Sequence, residues 1–490
     1  MRAGLGQPVR ATALICAAAA IGALSVYLAN GAPLFYFDTA AYLSQGHSML
    51  DAVADAVLPA APSGPEPGGP APAPAAPPDR SVDASRSAVY ALALSGLDAL
   101  AGLDIAVFIN LGLIWLALFL VARRIASASM VPALRLSSLG LLAACLGALP
   151  FYVAYLMPDI LAPVMILMLA LIFTYLPRMS RGDVLASGLL VLSAIVAHPS
   201  HLLIAAAMLP VGLLVLPVMA RRRLWISVGL IGLLVGVGVA EKLIFGAAVR
   251  HFEKKETRYL PFLTARLIVD GPGMTYLAAH CPDPDLATCA LFDRLSGAEG
   301  SGRLDAPNIL FSTRAETGSY KLLSDQRQLE ISREQPEFVL RVVRAAPMAV
   351  IGALARNTAV QLSYFRIDMT VPDEDLLARL NDENPRATAN LRNGRLVTMP
   401  RGWMAPLARL HEVVYGLSVL GIGWILLKTR RQRPDLWIFT GLVAAGIVAN
   451  ALVCGGVSEP AYRYGARVMF LLPALAAMLG GSVAHFAKRR

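Results

Sequence analysis

Charge is what this chain has least of. Only 16% of its 490 residues are Asp, Glu, Lys or Arg, where a water-soluble enzyme carries about a quarter. Hydrophobic residues make up 56%, and the mean hydropathy is +0.59. Several apolar runs approach twenty residues, enough to cross a bilayer as helices. Other signatures are missing as well. No Walker loop, no Gly-x-Gly-x-x-Gly after a strand, no His-Glu-x-x-His, no Gly-x-Ser-x-Gly and no Cys-x-x-Cys occurs. Nucleotide chemistry on the inner side therefore has no motif to rest on. No repeat of fixed period is visible. The net charge of +10 calls for no nucleic acid, because the basic residues gather at the ends of apolar runs, where they set orientation.

The pattern predicts a mainly α fold, a polytopic membrane bundle of about ten transmembrane helices. The spans are expected near residues 11–30, 102–122, 132–155, 160–177, 183–198, 202–220, 224–246, 409–428, 436–455 and 467–486. The first run lacks an Ala-x-Ala cleavage pattern and reads as a retained helix. With the N-terminus inside, even-numbered spans end at Arg123-Arg124, at Arg178 and Arg181, at Arg221-Arg222-Arg223, at residues 428–433 and at Lys488-Arg489-Arg490. All five are basic, as the positive-inside rule requires. This divides the chain into a seven-span module (1–246), an outside insertion after the seventh span (247–408) and a three-span module (409–490). Both termini are expected in the cytoplasm. The abundance of Ala, Arg and Pro suits a bacterium with GC-rich DNA, so the location read here is the inner membrane and "outside" is the periplasm.

Two outside segments follow. The first, 31–101, contains a Pro/Ala/Gly stretch (58–78) that cannot bury a core. Beyond it a helix is expected over 81–100, with Asp79, Ser81 and Asp83 as candidate caps. The second, 247–408, holds Cys281 and Cys289, whose closeness outside the membrane suggests a disulfide. No alternation there is strong enough for a sheet. Residues 345–365 are apolar, but an extra span would invert the last three. Ile351, Leu354, Thr358, Leu362 and Phe365 recur at helical spacing, which reads as an amphipathic helix on the outer membrane surface.

The stretch Leu34-Phe35-Tyr36-Phe37-Asp38-Thr39 places Asp38 just past the first span. A carboxylate there is costly unless it has a partner or a task. The plain alternative is a helix cap amid an interfacial aromatic belt of Phe35, Tyr36, Phe37 and Tyr42. On the same face the topology gathers Asp159, His198, His201, Glu241 and the loop Ser458-Glu459-Pro460-Ala461-Tyr462-Arg463-Tyr464-Gly465-Ala466-Arg467. Asp159 is also a common turn residue. His198 and His201 could share a metal but have no third ligand nearby. Arg463 and Arg467, four apart, share a helix face if the last span starts early. There they either snorkel to lipid phosphates or grip a substrate phosphate.

The early outside Asp in Phe37-Asp38-Thr39, the second acid in Met157-Pro158-Asp159 and the late stretch from Arg463 to Pro473 resemble the GT-C class of integral-membrane glycosyltransferases. The chain departs from the class pattern in three respects. Thr39 stands where many relatives carry a second acid, the soluble part is inserted after the seventh span, and the Pro/Ala-rich stretch is unusual. The resemblance implies transfer of a sugar from a polyprenyl-phosphate donor to a hydroxyl at the periplasmic face, by an inverting single displacement, in cell-envelope synthesis. It implies Asp38 as general base and Asp159 as the residue that orients the acceptor or, with Asp38, ligates a divalent metal (Mg or Mn). It implies Arg463 and Arg467 on the phosphate, with Tyr464 and Glu459 also binding substrate. Arg86, Ser87 and Tyr90 are further substrate-binding candidates, and the helix over 345–365 would line the groove for the polyprenyl tail. The acceptor is a glycan, a lipid or a protein; the partners are the lipid-linked donor and membrane lipids. Two alternatives remain: a polysaccharide polymerase or ligase acting through Arg344, Arg356 or Arg366, and a lipid or sugar transporter. No pair of broken spans in matching halves supports the latter.

Overall fold

The computed structural model describes residues 7–57, 81–126, 129–214, 221–297 and 302–487. The Pro/Ala-rich stretch 58–78, Asp79 and the last part of the span expected at 202–220 lie outside the described residues.

The first half is helical: α1 (Gln7–Asn30), α2 (Phe37–Val57), α3 (Ala88–Ala101), α4 (Asp104–Ile125), α5 (Met130–Ala144), α6 (Leu149–Val153), α7 (Leu161–Tyr175), α8 (Arg181–Ala197), α9 (Pro199–Leu213) and α10 (Arg221–Ala248). Seven helices among the described residues are long and apolar enough to cross a membrane: Val9–Asn30, Asp104–Ile125, Pro158–Arg178, Trp225–Phe252, Arg401–Thr429, Pro434–Ser458 and Tyr462–Ala484. The protein is thus multi-pass. The other three expected spans also contain helices, but these are shorter: α5 has 15 residues, α8 has 17 and α9 has 15. The span expected at 132–155 is broken between α5 and α6. A Cβ on Gly147 would meet the Tyr415 ring at 2.8 Å, and the Ala148 N–H donates to the Tyr415 hydroxyl at 3.0 Å. The aromatic ring occupies the space that a continuous helix would need.

α7 is the axis of the bundle. Its sequence is apolar all round because α4, α8, α9 and a later helix, α21 (Pro434–Val453), cover it on every side. The remaining helices of that module are α20 (Met404–Thr429), α22 (Tyr462–Met469) and α23 (Leu471–Ala487). α23 packs on α5 and α20.

Between the two modules lie α11 (Phe262–Val269), α12 (Pro272–His280), α13 (Cys289–Leu295), α14 (Ala306–Phe311), α15 (Asp325–Ala345), α16 (Pro347–Ser363) and α17 (Leu376–Glu383), then the single turns α18 (Pro385–Thr388) and α19 (Arg395–Thr398). This insertion divides in two. Residues of α11 to α15 form a core of their own around Leu277, Leu291, Ile309, Tyr320, Ile331 and Phe338. Ile367, Val371, Leu376 and Val397 instead join the core of the bundle. A disulfide links Cys281 and Cys289.

One expectation needs correcting here. Residues 81–83 are not helical. Ser81–Asp83 (β1) pairs in parallel with Glu256–Arg258 (β2), a ladder too short for sequence alternation to reveal. The helix beyond starts at Ala88, capped by Ser87, whose Oγ accepts from the Tyr90 N–H at 3.0 Å. α16 is a helix, bent 108° from α15, and it is amphipathic. Ala353, Asn357 and Gln361 are buried against protein, while Met348 and Ile351 are exposed. Its polar side is held by protein: Gln361 bonds to Ala461 in the loop after α21, and Asn357 donates to Asp270 Oδ2 at 2.8 Å.

Candidate functional site

Asp38 does not lie in a turn. It occupies the first turn of α2, where a carboxylate suits the helix dipole. Ahead of it the chain is extended. The Leu34 N–H donates to Ala154 O at 2.7 Å, and Leu34 O accepts from the Leu156 N–H at 2.8 Å. Thr39 Oγ1 accepts from the Tyr36 N–H and donates to Leu156 O at 3.2 Å. These bonds join the segment before α2 to the segment before α7, which is why two acids 121 positions apart (159 minus 38) reach one site. The aromatics around Asp38 are not a lipid-facing belt: Phe35 and Tyr42 are buried, and only Phe37 is exposed.

Arg86, just before α3, donates from Nη2 to Asp38 Oδ1 at 2.9 Å and from Nε at 3.2 Å. Arg463 of α22 brings Nη1 to 3.6 Å from Asp38 Oδ2. The Asp38 side chain keeps 30% of its surface exposed. Burial pushes its pKa up, but Arg86 and Arg463 outweigh this and hold the carboxyl below its usual value. Asp38 is therefore an ionised acceptor. Arg463 is itself buried, held between the Tyr36 ring at 4.6 Å and the Tyr464 ring at 4.9 Å. Its Nε and Nη1 have no hydrogen-bond partner among the described residues. Leaving a buried donor unused costs about 1–3 kcal/mol.

One turn further on, Arg467 is fully enclosed. Its Nη1 donates to Asp159 Oδ1 at 3.1 Å; Nε and Nη2 donate to Asn450 Oδ1 at 3.1 and 2.8 Å; Nη2 also reaches Ser200 Oγ at 3.4 Å and Cys454 Sγ at 3.1 Å. Cys454 points here because the chain after α21 widens into a π-turn, Cys454–Ser458. Asp159 is 1% exposed, and its Oδ2 has no partner among the described residues. α22 can approach so closely because residue 465 is glycine: a Cβ there would run into Tyr364 O.

The other candidates fall around or outside this cluster. Tyr90 packs edge-on against Tyr42 at 4.9 Å. Ser87 is committed to capping α3 and to Val196 O at 2.5 Å, which takes it out of substrate binding. His198 Nδ1 accepts from the Ser200 N–H, and His201 Nδ1 lies 2.9 Å from Ala194 O. The two rings are 5.2 Å apart and each has a structural bond of its own. Glu459 does not face Asp38. It turns toward Arg266 and Asp305. Glu241 pairs with Lys242 at 2.9 Å, Arg356 lies 3.9 Å from Asp270, and Arg366 pairs with Asp368 at 3.1 Å. Among the described residues no three His, Cys, Asp or Glu side chains converge as a metal would need. The donor set fits a divalent ion poorly, because Asp38 and Asp159 each already face a guanidinium. Sequence reasoning passed over Asn450, Ser200 and Cys454 as site residues. An asparagine inside an apolar span was the available signal.

Compared with known proteins, the chain matches no family model, no curated protein and no solved structure.

Proposed function

We propose that the protein is a glycosyltransferase of the GT-C type. In this reading it has ten spans with both termini in the cytoplasm of a bacterium, and it moves a sugar from a polyprenyl-phosphate donor to an acceptor hydroxyl at the periplasmic face. The observation that carries the reading is the ion pair of an ionised, partly exposed Asp38 with a buried Arg463 whose Nε and Nη1 have no hydrogen-bond partner among the described residues.

Asp38 Oδ2 accepts the proton of the acceptor hydroxyl as that oxygen attacks the anomeric carbon. The bond from the anomeric carbon to the phosphate oxygen breaks, and the electron pair leaves with the lipid phosphate. A carboxylate in reach of the hydroxyl supplies roughly 10²–10⁴ in rate. Arg463 donates to the departing phosphate, whose charge is growing. Arg86 orients Asp38 through the bonds to Oδ1 and leaves Oδ2 for the reaction. Arg467 and Asp159 hold α22 in place and have no direct contact with the substrate. Guanidinium groups supply the charge here, and no step is assigned to a metal.

The test compares surface glycans and glycolipids by mass spectrometry in a deletion strain, the strain restored with wild type, and the strain restored with Asp38→Asn. The reading expects one sugar mass to vanish on deletion and to return with wild type only. Full restoration by Asp38→Asn at equal expression would remove Asp38 from the chemistry.

A further inference from the structure

A second polar site lies beside the first. It is a cavity of about 330 Å³ lined by Arg266 of α11, Leu304 and Asp305 before α14, Asn357 and Tyr364 around α16, and Glu459. This volume is at the lower end for small-molecule sites, which run to roughly 300–1,000 Å³.

Its polar groups are unusual in being buried without full partners. Arg266 is 7% exposed. Its Nη2 is spent on Asp270 Oδ1 at 2.5 Å, but its Nε has no partner among the described residues. Asp305 Oδ1 and Glu459 Oε2 are likewise buried and unpartnered among them. The two carboxyl groups lie side by side in the lining, where like charges favour one shared proton. Burial and the neighbouring Asp305 push Glu459 up to about 7. The lining therefore presents a donor cation, one shared negative charge and an amide, while Asp270 behind Arg266 is already matched by Arg266, Arg356 and the Asn357 amide.

This balance sorts ligands. A phosphate would meet the negative charge of the Asp305–Glu459 pair at the lining, where the one guanidinium, Arg266, is already paired with Asp270. A divalent cation would meet Arg266. A neutral ligand rich in hydroxyls meets acceptors at the carboxylates and a donor at Arg266 Nε. Leu304, Val360, Pro460 and Tyr364 add apolar surface for its C–H faces. That is the surface of a pyranose.

The cavity is also wired to the transfer site. Gln361 of α16 binds Ala461 from both sides: Nε2 donates to Ala461 O and Oε1 accepts from the Ala461 N–H, both at 2.9 Å. Tyr364 stacks on Tyr462 at 4.5 Å. Glu459 is thus four residues ahead of Arg463 on a loop that is held at its middle. A group seated against Glu459 lies next to the start of α22.

We propose that this cavity binds a neutral glycosyl residue of the acceptor, which makes the acceptor a saccharide chain and not a protein or a simple lipid. The word acceptor rests on the transfer reading above; the binding of a neutral sugar does not.

The test is saturation-transfer NMR on the purified full chain in detergent, with methyl glycosides of the common neutral hexoses and their disaccharides as probes and inorganic phosphate as a control. Wild type is expected to bind at least one glycoside and no phosphate. Asp305→Ala should weaken that binding at least about tenfold, since a buried partner of a hydroxyl is lost. Val360→Trp, which fills the cavity without touching the polar groups, should do the same in a protein that elutes and melts like wild type. Asp38→Asn should leave glycoside binding intact. The proposal falls if no glycoside binds, if binding survives both cavity variants, or if it is lost in Asp38→Asn. Binding that passes these checks while deletion removes no glycan would keep the cavity and end the transfer reading. A missing glycan without glycoside binding would do the reverse.

Discussion

Two corners of one helix face opposite fates. At the start of α22, Arg463 stands over Asp38 with Nε and Nη1 free of hydrogen bonds among the described residues and the carboxylate partly exposed. One turn later Arg467 is 0% exposed, and each guanidinium nitrogen has an acceptor. The residue types are the same, Arg with Asp, and so is the helix. The difference lies in what else surrounds each pair. Asn450, Ser200 and Cys454 close the second corner, whereas aromatic rings, which offer no lone-pair acceptor in the plane of the guanidinium, flank the first. A closed pair supports the fold. An open pair keeps its charge available for chemistry.

This contrast is broken most forcefully by Arg467→Ala. It leaves Asp159 buried without its cation, a loss of about 3–5 kcal/mol. The expected outcome is a large drop in the melting temperature of the detergent-purified protein, or failure to accumulate. A melt close to wild type would mean that the second corner is not the anchor described. Arg463→Met keeps the length and most of the bulk of the side chain. It should melt close to wild type yet lower transfer about 10²–10³-fold, measured as sugar incorporated by membranes of the complemented deletion strain. Equal losses of stability in the two variants would erase the difference between the corners.

A finer test concerns Arg86. With both arginines present the Asp38 carboxyl sits below its usual value, so its ionised form persists as pH falls through the ordinary carboxylate range. The stability that its ion pairs contribute is present above the unfolded value and is lost as pH falls through the folded one. Arg86→Gln should move the acid limb of activity to higher pH, read from rate against pH; an unmoved limb would separate Arg86 from Asp38. The smallest effect is expected from Ser87→Ala, which removes the cap of α3 at about 1 kcal/mol and should leave transfer by the folded fraction unchanged. A specific loss of transfer in that variant would return Ser87 to the site.

How much of this was legible in the sequence follows from range. Hydropathy fixes which runs are helical, so the helices fall where apolar runs fall. It is blind to the break at Gly147, because the cause is the Tyr415 ring, 268 positions away. Asp38, Arg463 and Arg467 could be singled out because charge near a bilayer is costly wherever it occurs. Which arginine is spent and which is free could not be read, since it depends on Asn450 and Ser200 arriving from two other helices. Glu459 looked like part of the same group by nearness in the chain. The extended backbone at Glu459–Ala461 turns it to the other side, toward Asp305.

The central claim, that the open corner receives a lipid phosphate, is tested most directly by titrating a short-chain polyprenyl phosphate into purified wild type, Asp38→Asn and Arg463→Met. The account predicts binding to wild type, equal or tighter binding to Asp38→Asn because a repelling charge is gone, and at least about tenfold weaker binding to Arg463→Met. Binding to Arg463→Met as tight as to wild type would contradict it.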